Sequence, residues 1–270
     1  MFRVAVLCSH RAPGLVALLD RDARRGSAYE VVCCVTSSDT FAEAAALEAR
    51  GVPCVAHSIR AFCRERGARL GDLDVRAAYD AATVALLSPV RPDLIVLDGY
   101  LLLLTAPFLD RFAHRTVNIH HSDLALRDGS GAPRYPGLRA VRDALLAGER
   151  ETRATAHLVT ATLDEGPVLV RSWPFVVAPV VRWARRQAAH DVLRAFAFAH
   201  QEWMLRTAWP PMLACVIQIA ATLRRASGGT LDLRAAGEWE LTEAGTLLPA
   251  QRATPIPASP PPRAAGVMTW

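Results

Sequence analysis

Residues 3–8 read Arg-Val-Ala-Val-Leu-Cys, and short runs of similar apolar character recur at 29–36, 53–57, 92–98 and 116–120. A strand with one face in water alternates apolar and polar residues, whereas a strand buried on both faces is apolar nearly throughout. Helical spacing of apolar residues fills the intervals 14–25, 40–50 and 75–87, with a polar, arginine-rich stretch before the last. Strand–helix–strand repetition of this kind predicts an α/β fold, a doubly wound and mostly parallel sheet covered on both faces. Ligands of such sheets bind beyond the carboxyl ends of the strands. Ser9-His10-Arg11 follows the first run, Asp98-Gly99-Tyr100 the fourth, and Asn118 and His120 close the fifth.

Further along, the pattern predicts a helix over 136–147 and strands over 154–161 and 168–175. A long helical stretch over 180–225 is interrupted at Trp209-Pro210-Pro211, because proline cannot continue a helix. A small hairpin is expected within 230–248, and residues 251–270 form a proline-rich tail read as disordered. The reading divides the chain into a core (1–180), a helical C-terminal extension with the hairpin packed on it (181–250), and the tail.

Composition narrows the function classes. All 31 basic residues are arginine, which excludes lysine Schiff-base and Walker-lysine chemistry. The net charge of +5 comes from arginines scattered through helical stretches with few aromatics between them, so no nucleic-acid partner is expected. The six cysteines form no Cys-x-x-Cys pair and read as buried thiols of a reducing compartment. The histidines lack ligand spacing with acidic or thiol partners, so no metal is expected. No uninterrupted apolar run approaches 18 residues and none at the start suits a signal peptide. The expectation is a soluble cytoplasmic protein, monomer or homodimer, without a membrane partner.

Asn118 and His120 are two apart, so on a strand both side chains leave one face. Far downstream comes Leu163-Asp164-Glu165-Gly166-Pro167. An amide, an imidazole and a carboxylate are the groups that acyl transfer to an amine needs: an oxyanion donor, a positive charge or proton, and an orienting proton acceptor. An isolated Asn-x-His is more often a polar strand end. Here the other blocks overturn that reading.

Residues 92–100 (PDLIVLDGY), 116–122 (TVNIHHS), 135–148 (YPGLRAVRDALLAG), 155–159 (TAHLV) and 163–168 (LDEGPV) stand in the order found in one family. The chain resembles the formyltransferases that use 10-formyltetrahydrofolate, most closely the glycinamide ribonucleotide branch, with weaker similarity over about 2–248. The resemblance implies the Rossmann-like formyltransferase fold, 10-formyltetrahydrofolate as co-substrate and a small-molecule amine acceptor. It makes Asn118 the amide for the formyl oxygen, His120 the imidazole beside it, and Asp164 the carboxylate that raises the histidine pKa and relays the amine proton. His157 matches a family histidine that either positions Asp164 or is a satisfied core residue.

The folate is expected between the loop after the fourth strand and the Asp164 turn. That assigns to it Leu97, Asp98, Gly99, Tyr100, the floor Leu101, Leu102, Leu103 and Leu104, then Val141, Leu163, Glu165 and Gly166; plain core is the competing reading for most of the four leucines. The acceptor side is assigned Ser9, His10, Arg11, Ala12, Pro13, Gly14, His121, Ser122 and Tyr135, with no catalytic role for His121, which should point away from His120.

Relatives acting on glycinamide ribonucleotide carry a glycine- and serine-rich phosphate cradle after the first strand. Here Pro13 removes an amide donor and Gly14 a side-chain amide, although Arg11 offers a charged fork. A specialised acceptor is therefore favoured. Glycinamide ribonucleotide itself, a sugar nucleotide, or a non-catalytic folate- or nucleotide-binding protein remain as alternatives. The hydrolases of this family carry an extra N-terminal domain and the tRNA enzymes a basic C-terminal barrel, neither of which this sequence suggests.

Overall fold

A computed structural model of the chain describes residues 1–22 and 28–250. The expected tail (251–270) and the last three residues of the helix expected over 14–25 lie outside the described residues.

Strands β1 (Phe2–Cys8), β2 (Tyr29–Thr36), β3 (Cys54–Ala56), β4 (Leu94–Leu97) and β5 (Thr116–His120) form the parallel half of the sheet, in the order β3-β2-β1-β4-β5. The period-two geometry of a strand sends successive side chains to opposite faces. In β1, Val4, Val6 and Cys8 join one apolar cluster while Ala5 and Leu7 join another; in β4, Leu94 and Val96 face the first and Ile95 and Leu97 the second. Both faces are covered. The first cluster is closed by α1 (Leu15–Asp22) and, later in the chain, by a C-terminal helix; the second holds Leu87 of α4 (Leu73–Leu87) and Phe108 of α5 (Ala106–Arg111).

Two shorter helices complete this half. Helix α2 (Ala44–Glu48) is half the length expected over 40–50. Helix α3 (Ile59–Glu65) occupies the stretch read as merely polar. Ser58 caps it by accepting from the Ala61 amide, and Ile59 and Cys63 bury against Tyr79. The chain runs outward from β1 to β3 and then crosses to β4 on the far side of β1. The reversal leaves the β1 and β4 carboxyl ends side by side as a topological switch point.

Beyond β5 the sheet changes direction. Helix α6 (Ala140–Ala147) begins after the Tyr135-Pro136-Gly137 turn, not at Pro136, and ends on left-handed Gly148. Strand β6 (Glu151–Thr152) pairs with β9 (Phe175–Val176) in a separate ribbon. Strand β7 (Thr155–Leu158) lies antiparallel to β5, and β8 (Val168–Arg171) antiparallel to β7. The single strand expected over 168–175 is thus two.

The stretch expected as one helix broken at the prolines is three. Helices α7 (Pro179–Arg186) and α8 (His190–Thr207) separate around Ala188, whose φ is +50°. Helix α9 (Trp209–Ala226) carries Pro210 and Pro211 in its first turn, where a missing N–H leaves no bond unmade. Trp209, Met212, Leu213, Val216, Ile217, Ala220 and Ala221 of α9 belong to the same cluster as β1. Strands β10 (Trp239–Leu241) and β11 (Leu247–Pro249) form the expected hairpin, and β10 pairs with β8 to extend the main sheet.

One buried ion pair ties these layers. Arg171 on β8 donates through Nε to Asp123 Oδ1 (2.9 Å), a second nitrogen reaches Oδ2, and Nη1 reaches Glu240 on β10 (2.9 Å). Removing the guanidinium leaves the buried Asp123 carboxylate without a counter-charge. Arg171→Leu should lose about 3 kcal/mol of unfolding free energy in urea. Arg171→Leu combined with Asp123→Leu should lose clearly less than the single variant.

Candidate functional site

The Asn-x-His pair sits at the carboxyl end of β5. Register places Asn118 directly opposite His157 on β7, and His120 opposite Thr155. Opposed residues of an antiparallel pair share a face, so His157 stands beside the site, not behind it. Asn118 Nδ2 lies 3.1 Å from His157 Nε2, and His157 Nδ1 lies 3.2 Å from the Leu158 carbonyl. A carbonyl only accepts, so Nδ1 carries the hydrogen and Nε2 accepts from the Asn118 amide. That leaves the second N–H of Asn118 without a protein acceptor among the described residues. Asn118 is the chain's only asparagine and is half-buried.

Asp164 arrives from the turn after β7. Its φ of +55° is left-handed, and the turn is closed by Leu158 donating to the Pro167 carbonyl (2.9 Å). Gly166 permits this closure, because a Cβ there would stand 1.7 Å from the Leu158 oxygen. Asp164 Oδ2 accepts from the Gly137 amide (2.7 Å) and lies 3.5 Å from His120 Nδ1, while Oδ1 lies 3.5 Å from His157 Nε2. Four of the five sequence blocks therefore converge, with the carboxylate wedged between two imidazoles and pinned by the Tyr-Pro-Gly turn.

Burial governs the imidazoles. His157 is pushed down to about 4, first by desolvation and then by the neighbouring His120, against the pull of Asp164. His120 is also lowered by desolvation, which outweighs both Asp164 and its bond from Nε2 to the Tyr135 carbonyl (3.3 Å). Asp164 does pull the His120 pKa upward, as expected, but burial outweighs it, so the resting imidazole is neutral with its Nδ1 lone pair toward the carboxylate.

Several assigned residues do something else. Asp98 is fully buried and accepts from the Gly14 and Leu15 amides (both 3.0 Å) at the start of α1, so its side chain serves the first loop and not the folate. Leu97 and Val141 lie in the two core clusters. Tyr135 turns its hydroxyl to Glu149 (2.7 Å) and offers the site only its carbonyl, which also holds Ser122 Oγ (2.6 Å). Both are supports of His120 and not acceptor contacts. The leucine floor divides: Leu102 packs against Ile59, Cys63 and Tyr79 and Leu104 joins the second core, while Leu101 and Leu103 are 49% and 55% exposed. Leu163, 45% exposed, lies near Gly137, and Glu165 is exposed beside the buried Gly166.

In the first loop, Ser9 is buried, bonded through Oγ to Ser37 (2.9 Å) and the Leu101 amide (3.0 Å), and its own amide donates to Gly99 O (3.2 Å). Gly99 needs its φ of +74° and has no room for a Cβ, which would stand 2.8 Å from the Arg11 carbonyl and 3.2 Å from Pro13 Cδ. His10 is exposed on Ser38 (2.9 Å), Arg11 pairs with Glu202 of α8, and the Ala12 amide donates to Glu43 (3.1 Å). Tyr100 is half-buried, and its buried hydroxyl is unpartnered among the described residues. Glu43, Glu202 and Trp209 lie far away in sequence, and no local signal marks them.

His121 packs on Trp209 with the rings tilted and 4.6 Å between centroids, and stands edge to face with His120 at 6.2 Å. Trp209 in turn lies against Gly14. Among the described residues, no group of three or more His, Cys, Asp or Glu side chains is placed to hold a metal ion, and no helix is long and apolar enough to cross a membrane.

Comparison with known proteins decides the family. The Formyl transferase family profile matches residues 2–196. The chain belongs to this family. It is 34% identical over 172 residues to the trifunctional purine biosynthetic protein adenosine-3 of Drosophila melanogaster, covering 63% of this chain and 11% of that protein. It is 36% identical over 119 residues to a formyltetrahydrofolate deformylase of Synechocystis sp., covering 44% of this chain and 36% of the deformylase. The chain thus spans only a minor part of these curated relatives. Glycinamide ribonucleotide transformylase 1 of Symbiobacterium toebii superposes with a TM-score of 0.56 at 29% identity, covering 74% of this chain and 86% of the other.

Desolvation holds His121 down at about 3, from an ordinary 6.5. Unfolded, this histidine takes a proton below about 6.5; folded, it resists until about 3. Its contribution to stability is therefore present above the unfolded pKa and is lost as pH falls through this window. His121→Phe should flatten the decline of the urea midpoint between neutral pH and pH 4, leaving the part due to His120 and His157, which have the same sign.

Proposed function

We propose that this protein transfers the formyl group of 10-formyltetrahydrofolate directly to the nitrogen of a specialised small-molecule amine, in the cytoplasm and without a nucleic-acid or membrane partner. The observation that carries the reading is the wedge of Asp164 between His120 and His157, with the Asn118 amide on the same face.

The neutral amine attacks the formyl carbon, forming the C–N bond and pushing the carbonyl electrons onto oxygen. The second N–H of Asn118 donates to that oxyanion. The proton shed by the amine passes to His120 Nδ1, and the imidazolium so formed is stabilised by Asp164 at 3.5 Å and adds positive charge beside the oxyanion. Collapse breaks the bond to the folate nitrogen, which takes the proton from His120 and leaves as tetrahydrofolate. His157 is a positioning residue: its Nε2 fixes the Asn118 amide, and its neutral state leaves the negative charge of Asp164 for His120. Exposed Leu101, Leu103 and Leu163 supply the apolar surface for the pterin, beside the backbone of Gly99 and Glu165.

Release of tetrahydrofolate, followed by absorbance with and without an amine panel, tests this. Asn118→Ala should lower kcat by roughly a hundredfold while folate binding stays nearly unchanged. Unaltered turnover in that variant removes the assignment. Wild-type release that no amine accelerates would assign hydrolysis in place of transfer.

A further inference from the structure

The start of a helix normally offers its free amides to an anion. At the start of α1 the leading amides are already taken by the protein. Gly14 and Leu15 donate to the Asp98 carboxylate, Ala12 donates to Glu43, and Pro13 has no N–H to give. The guanidinium of Arg11 is paired with Glu202. Glu43, Asp98 and Glu202 thus hold the donors of the loop against one guanidinium, and exposed His10 remains as the other ionisable group. The loop borders the site, because Trp209 packs against both Gly14 and His121, the neighbour of His120.

A phosphate brought to this loop would have to displace Asp98 from the helix start. A freed carboxylate, buried and without donors, has no compensation there. If it stayed, two anions would compete for the same amides. We propose that Asp98, with Glu43, is a specificity-determining residue whose side-chain oxygens occupy the amides of the helix start, so that the acceptor is a neutral or cationic amine with no phosphate at the first loop. Among the described residues the Asp98 side chain bonds only to Gly14 and Leu15, and it acts on selection by occupying the donors, not on the transferred group.

This inference rests on the formyl-transfer reading, so its test has an arm that needs no turnover. Inorganic phosphate is titrated calorimetrically into the full-length wild type, Asp98→Ala and Asp98→Asn. The wild type should give no saturable heat at millimolar phosphate, and Asp98→Ala should gain it. Asp98→Asn keeps an oxygen acceptor for the helix start, so it stays folded and gains less. Saturable phosphate binding by the wild type that Arg11→Ala removes, or no gain in either folded Asp98 variant, overturns the inference. In the second arm, amines are compared as matched phosphorylated and phosphate-free pairs, glycinamide ribonucleotide and its riboside among them. The phosphate-free member should have a KM lower by about tenfold, and the reverse order overturns the inference. Absence of amine-dependent turnover sinks the formyl-transfer reading alone, since the calorimetric result stands by itself.

Discussion

The carboxylate of Asp98 is the constraint to which the functional end of the sheet is referenced. It hangs from the end of β4, fully buried, and grips the first two amides of α1, which follows β1. Burial drives its pKa up to about 7 against the pull of those two bonds. A buried carboxyl group tolerates its site only while donors are fixed around it, so the bond locks the loops after β1 and β4 into one unit. The Gly99 carbonyl and the Ser9 hydroxyl complete that unit from either side.

A second carboxylate organises the neighbouring strand end by a different logic. Asp164 is held in a left-handed turn and bonded to one amide, with two imidazoles at equal distance. One imidazole is kept neutral by burial, against the pull of its own backbone bond, which fixes only its tautomer. The other faces the carboxylate through an unprotonated nitrogen. This asymmetry makes His120 the group that takes charge during reaction, while His157 holds the Asn118 amide.

Much of this was legible before any coordinates. The β2 span follows from its apolar run Val31–Val35, because an inner strand buries both faces. Asn118 and His120 were readable as a pair because strand period is local. The partnership of Asn118 with His157 was not, since it depends on β7 entering antiparallel beside β5, which no short pattern encodes. Asp98 was visible as a polar residue at a strand end, but its direction depends on α1, more than eighty residues away. The split of the leucine run follows from what lies opposite each face, Tyr79 for Leu102 and Phe108 for Leu104. The breaks in the C-terminal helices were half readable: proline announced one, and Ala188 announced nothing.

Helix α9 has a consequence for how the chain is made. It packs on α1, β5 and β8 and joins the apolar cluster that holds Val4 and Val6 of β1, which lie more than two hundred residues earlier. During synthesis the first strands leave the ribosome long before their cover exists. Until then that face of the nascent sheet is covered by α1 and not yet by α9, and the contact of α9 with α1 is among the longest-range in the chain. A ribosome that stalls before α9 emerges would release a segment containing every proposed catalytic group yet lacking the surface that keeps it folded.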